Sequence, residues 1–287
     1  MISGIINVDK ISGFSSFWHD KFIKNLTGSA KVGHTGTLDP NATGLLTICL
    51  GKATRLINYL SGEKTYIAEA FWGVQTDTDD ITGIPLFYSE KQVKQDVLED
   101  VMKDFTGKIF QTPPIYSAIK INGKRLYDYA RKNEKVAVNS REVNIYEIAL
   151  LEHHKNRSRL KIHCSKGTYI RALIRDIGKQ LGCYGTLLSL RRIASDHFDI
   201  TDAFTISRIY DKLKNNDIKD VLVPMSEAVS FMRSMTVKKQ QESDIKNGRL
   251  ISSGVLSGTV AILNNRGELI AIGRGTRNGI KPETVLI

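Results

Sequence analysis

The sequence predicts an α+β fold with a mixed, mainly antiparallel central sheet and a small β-rich domain at the C-terminal end. Three observations lead there. Helix-like and strand-like segments alternate irregularly, not as repeating β–α units. The strand-like runs alternate in polarity as half-exposed strands do, most clearly KTYIAEAFWGVQ and RLKIHCSKG. From residue 233 the texture changes: the last 55 residues hold seven glycines, and VAILNNRGELIAIG reads as strand, turn, strand. The expected division is therefore a body over 1–232 and a second domain over 233–287, which carries nine Lys/Arg against four Asp/Glu.

Element by element, GIINVDK reads as a short strand. Trp18, Phe22 and Leu26 recur every four residues and predict a helix that Gly28 ends. TGLLTICLG is a short apolar run and predicts a buried strand. In KTYIAEAFWGVQ, Ile67, Glu69 and Phe71 face one way and Tyr66, Ala68, Ala70 and Trp72 the other. SEKQVKQDVLEDVMKDFTG predicts a helix with a capping box from Ser89 and Gln92, a stripe of Val93, Val97, Val101 and Phe105, and a stop at Gly107. In TYIRALIRDIGKQLG, Ile170, Leu173, Ile174, Ile177 and Leu181 share one helical face, with Thr168 placed to cap it.

The chain of 287 residues carries a formal net charge of +11 and 41% hydrophobic residues. That is enough for a real core, and the basic excess points to a polyanionic partner, most often nucleic acid. The segment MISGIINVDKISGF lacks a charged region followed by a long apolar run, so no secretory signal is expected. No run is long enough to cross a membrane as a helix. Three widely spaced cysteines without CxxC argue against a disulfide framework and for a reducing cytoplasm.

Several local patterns fail as functional motifs. GKAT (51–54) lacks the GxxxxGK[ST] of a phosphate loop. DTDD (77–80) departs from a calcium loop, because Ile81 and Gly83 fall at the wrong places, and reads as a solvated acidic turn. His163 and Cys164 alternate on a strand and point to opposite faces, so no metal site is expected with His153 and His154.

What remains is KVGHTGTLDPNATG (31–44). Gly33, Gly36, Pro40 and Gly44 mark a shaped loop around one carboxylate, Asp39. By itself the loop leaves two readings open: Asp39 caps local backbone, or Asp39 is a reagent. Three further polar segments share its character: EKTYIAEA, TPPIYSAIKINGKRLYDYAR and CSKGTYIRALIRD.

With GHTGTLDP, the PPIYSAIK…RLYDYAR block, HCSKGTYIR and LRR (190–192) in that order, the chain resembles the TruB family of stand-alone tRNA pseudouridine synthases from about Gly4 to Arg192. The resemblance implies a pseudouridine synthase fold. It also implies isomerisation of uridine to pseudouridine at position 55 in the T arm of tRNA, with no cofactor and no metal. Asp39 matches the family's nucleophile, Tyr66 the tyrosine near the target base and candidate for removing the C5 proton, and Arg171 the arginine paired with the aspartate. For substrate binding, Tyr169 and Leu190 match residues lining the uracil pocket. His34 matches the histidine that fills the gap left by the flipped nucleotide, and Lys10 the lysine of the N-terminal pattern. That pattern departs at DKISGFSS, where Ile11 stands for proline and Ser15 for threonine. KNG (246–248) and SG (253–254) match a PUA-like RNA-binding domain over 233–287. The expected partner is the tRNA T-arm stem-loop, bound by a cytoplasmic monomer that needs no membrane and no protein partner. The rival is a non-catalytic RNA-binding or chaperone protein of the same fold.

Overall fold

The computed structural model describes residues 2–60, 62–117, 119–121, 123–132, 134, 136–215, 217–252 and 257–287. SG (253–254) lies outside the described residues, as do Ala118 and Asn122 of the PPIYSAIK block. The chain forms two compact units. One comprises Met1–Pro40, Leu45–Ser61 and His197–Ile287, and the other Asn41–Gly44 and Gly62–Asp196.

In the first unit the strand Gly4–Lys10 neighbours Thr43–Leu50, and the short strand Val32–His34 pairs antiparallel with Ile48–Leu50. The expected helix spans Ser16–Thr27. Ser15 Oγ accepts from the Trp18 N–H at 3.1 Å, and Gly28 closes the helix at φ 64°. Ser15 therefore supplies the N-terminal cap of this helix. The fully buried face is not the aromatic stripe, however. It is Ser16, His19, Asp20 and Ile23, because the first two turns face a polar loop instead of the apolar core.

The C-terminal end forms a four-stranded sheet in the order Arg233–Thr236, Gly258–Leu263, Leu269–Thr276, Gly279–Val285. Val260, Ile262, Ile270 and Ile280 make a cluster of its own. Ala261, Leu269, Ile272 and Leu286 share a cluster with Ile5, Leu45 and Leu56, and Tyr59 Oη hydrogen-bonds Thr284 Oγ1 at 2.9 Å. Core residues from both ends of the chain are thus packed together within this unit.

The second unit is built on an antiparallel sheet in the order Gly185–Ser195, Lys64–Trp72, Arg157–Cys164, Arg141–His154, Gly107–Gln111. Arg191 and Arg192 pair parallel with Thr43 and Gly44, so the central sheet is mixed and mainly antiparallel, as the sequence indicates. Gly44 has φ 100°, and a Cβ there would collide with the Arg192 carbonyl. Along Lys64–Trp72 the residues Lys64, Tyr66, Ala68, Ala70 and Trp72 are buried in strict alternation. The helix Ile170–Gln180 buries Ile170, Leu173, Ile174 and Ile177 as expected.

Three local expectations are corrected. The helix of residues 89–107 begins only at Gln95 and ends at Asp104, without a side-chain cap. Residues 89–93 are instead held by other partners: Ser89 Oγ accepts from Lys91 N–H, and Asn156 accepts from Val93 N–H and donates to Lys91 O. With the start moved, Leu98 and Met102 face inward and Val97 is exposed. Thr168 does not cap the later helix, because its hydroxyl donates to Ser165 O. DTDD is not a solvated turn: Asp79 is buried at 5% exposure and pairs with an arginine. Among the described residues no helix is long and apolar enough to cross a membrane.

Candidate active site

The residues singled out by sequence fall into two groups, one in each unit. In the first unit Asp39 sits half-exposed on the loop that follows Val32–His34. Both of its neighbours are pinned. The Ser16 hydroxyl accepts from Leu38 N–H at 2.8 Å and donates to Leu38 O at 3.0 Å. On the other side, Pro40 O accepts from Lys10 Nζ at 2.9 Å and from Gly13 N–H at 3.0 Å. The backbone that carries the carboxylate is therefore fixed on both flanks by groups distant in sequence.

Lys10 is fully buried beneath this loop and also donates to Ile11 O at 3.0 Å. His34 is held at both ring nitrogens, Nδ1 by Asp20 Oδ2 at 2.7 Å and Nε2 by Thr37 Oγ1 at 2.9 Å. His19 lies buried alongside, with Nδ1 at 2.9 Å from Ser15 O. Burial pushes its pKa below the usual imidazole value. A cavity of about 610 Å³ opens beside the helix, lined among others by Phe17, Asp20, Lys21, Lys24, Lys31 and Ile57.

In the second unit Tyr66 is buried at 6% exposure and lies in register with Ile162 and Arg192. Arg171 occupies the first turn of Ile170–Gln180 and is 4% exposed, which rules out a surface charge. Its guanidinium donates to Thr78 O at 3.0 Å and Tyr116 O at 2.9 Å, and Asp80 Oδ2 stands 3.7 Å from it. Tyr169 is the residue before that helix. Gln111 clamps its backbone from both sides, accepting from Tyr169 N–H at 2.8 Å and donating to Tyr169 O at 3.0 Å. The Arg141 guanidinium lies 4.9 Å from the centre of the Tyr169 ring. Leu190 is half-buried on Gly185–Ser195, opposite Ala68.

Sequence reasoning missed the turn that supports Arg171. One helical turn on, Arg175 donates to Asp79 Oδ2 at 2.8 Å, to Thr112 O at 2.9 Å and to Asp176 Oδ1 at 2.9 Å. Asp79 adopts φ 62°, and burial raises its pKa although Arg175 pulls the other way. Main-chain bonds from Leu187 N–H to Asp79 O (3.1 Å) and from Ile81 N–H to Leu187 O (2.9 Å) fix the turn on the sheet. The available signal was an acidic run in one segment and two arginines spaced i, i+4 on one face of a helix in another. The histidine group does not converge: His153 bonds Ser158 Oγ and Val93 O, and among the described residues no three metal-ligating side chains gather.

Residues 24–170 match the TruB family pseudouridylate synthase N-terminal domain, and residues 171–230 match the tRNA pseudouridylate synthase B C-terminal domain. The chain belongs to the TruB family. A relative from Alkaliphilus oremlandii, named tRNA pseudouridine synthase B, is 40% identical over 260 residues, covering 90% of this chain and 86% of the relative. One of the same name from Clostridium novyi is 36% identical over the whole of both chains. Among solved structures, a chain from an H/ACA RNP bound to a substrate RNA containing 2′-deoxyuridine superposes with a TM-score of 0.77 at 25% identity, covering 99% of this chain and 85% of that one. A chain from a Cbf5-Nop10-Gar1 complex gives the same TM-score at 27% identity, with the same coverage.

Proposed function

We propose that the protein is a tRNA pseudouridine synthase that isomerises the uridine at position 55 in the T arm, with Asp39 as nucleophile. The observation that carries this reading is the double anchoring of Asp39. A carboxylate meant as a reagent must be aimed while remaining reachable, and Leu38 and Pro40 are both tied down while Asp39 stays half-exposed. The relatives at 35–40% identity, all named tRNA pseudouridine synthase B, support the substrate class.

In this reading the N-glycosidic bond of the uridine breaks, uracil turns, and C1′ rejoins at C5, after which the C5 proton leaves. Tyr66 stands near the base and takes that proton. Arg171 is the counterpart of the family's arginine, whose positive charge serves the catalytic carboxylate. Tyr169 and Leu190 line the uracil pocket, and His34 fills the vacated place in the loop stack. Lys10, buried and bonded to Pro40 O, serves the RNA through Asp39's loop, not by direct contact. The lysines beside the 610 Å³ cavity and the overall charge of +11 suit RNA phosphates. The protein works as a cytoplasmic monomer without cofactor, metal or protein partner, in a body of residues 1–232 and an RNA-binding domain of residues 233–287.

The test is tritium release from a T-arm stem-loop transcript carrying 5-tritiated uridine. Release with wild type and none with Asp39→Asn supports the reading. Stem-loop binding without release would instead make the protein a non-catalytic RNA chaperone of the same fold.

A further inference from the structure

The helix Ser16–Thr27 presents two polar side chains, Ser16 and Asp20, four residues apart and therefore on one face. Ser16 holds Leu38, the residue before Asp39, and Asp20 holds the His34 imidazole. One helical face thus sets both the carboxylate loop and the histidine.

Asp20 is expensive at this place. It is 7% exposed, and its second oxygen, Oδ1, has no hydrogen-bond partner. A buried carboxylate with half of its acceptors unused lowers stability relative to an apolar side chain of similar size. Its one bond, at 2.7 Å, goes to His34. A carboxylate can only accept, so His34 Nδ1 carries the proton and donates it. Thr37 Oγ1 engages the other ring nitrogen at 2.9 Å. With both nitrogens occupied, the imidazole has no polar edge left for a base, and what it offers to RNA is its plane.

We propose that Asp20 is a positioning residue for RNA recognition: it fixes the His34 ring so that His34 meets the RNA as a rigid planar face and reads loop shape, not base identity. The inference rests on the reading that His34 enters the loop stack. A ring held at Nδ1 and Nε2 cannot spin about its Cβ–Cγ bond, so the orientation entropy is removed before binding.

The experiment combines two measurements on the full-length protein. Imidazole ¹⁵N spectra of the wild type are expected to show His34 with its proton on Nδ1, and an Nε2–H neutral tautomer overturns the proposal. Single-turnover rates on the T-arm stem-loop are then compared for Asp20→Ala, Asp20→Asn, His34→Ala and the double variant Asp20→Ala/His34→Ala. Asp20→Ala is expected to be slower by about tenfold. Asp20→Asn, which keeps an acceptor for Nδ1–H, recovers most of the rate. In the His34→Ala background the Asp20 change adds nothing. Additive losses in the double variant, or a full-rate Asp20→Ala beside a slow His34→Ala, overturn the inference while sparing the reading of His34. A full-rate His34→Ala overturns that reading and the inference with it. If Asp20→Ala fails to fold, the spectra and the Asp20→Asn rate decide.

Discussion

Arg175 and Asp79 form a charge-assisted hydrogen bond of 2.8 Å between two side chains exposed by only 17% and 8%. The bond locks a non-glycine residue at φ 62°, and that turn carries Thr78 O and Asp80, two of the groups around Arg171. Removing the arginine leaves a buried carboxylate without its partner. Arg175→Ala is therefore expected to destabilise the protein by about 3–5 kcal/mol, and Asp79→Asn by less, since Arg175 keeps Asp176 Oδ1 and Thr112 O as partners. Urea unfolding of both variants measures this. Equal losses would show that the turn, not the charge, sets the energy.

Asp39→Asn is expected to abolish turnover and leave the unfolding free energy within about 0.5 kcal/mol of wild type, as for a half-exposed side chain. The anchors of this loop are Leu38 and Pro40 backbone groups, which the substitution does not touch. Single-turnover rates and urea curves check both halves of the statement. A variant that retained a tenth of the rate would remove Asp39 as nucleophile.

Arg171→Lys replaces a fork that reaches Thr78 O, Tyr116 O and the neighbourhood of Asp80 with a single ammonium. The loss of transition-state stabilisation is expected at about 2–5 kcal/mol, read as the ratio of single-turnover rates. A rate within twofold of wild type would demote the guanidinium to a structural role.

His19 titrates below the ordinary imidazole value of 6.5 because it is buried. In the unfolded chain it takes up a proton near that value, while in the folded protein it resists. Its contribution to stability is present above pH 6.5 and is lost as pH falls below it towards the lowered folded value. His19→Gln is expected to flatten the stability profile on the acid side of pH 6.5, measured as unfolding midpoints against pH. Parallel profiles for the two proteins would contradict the burial effect.

Removing residues 233–287 uncovers apolar surface on Ile5, Leu45 and Leu56, because Ala261, Leu269, Ile272 and Leu286 pack in the same cluster. The truncated protein is expected to unfold at a clearly lower temperature and to expose hydrophobic surface to dye. An unchanged melting temperature would show that the C-terminal sheet contributes nothing to the body.

The sequence by itself determined the alternating burial of Lys64–Trp72, the apolar face of Ile170–Gln180, the helix closed at Gly28 and the family. Each follows from spacing along one segment, which the chain carries locally. Sequence also singled out Asp39, but left open whether it was a cap or a reagent until the family's blocks were found in order. Tertiary structure alone decided the rest. Which residue begins the helix at Gln95 depends on Asn156, and a capping pattern cannot compete with a distant side chain that already holds Lys91 and Val93. Whether DTDD lies in water or pairs with arginine depends on where Arg171 and Arg175 project, about ninety residues away in the chain. That Asp20 belongs with His34, and Ser16 with Leu38, is set by a helix face packed against a loop, a relation between segments that no local period records.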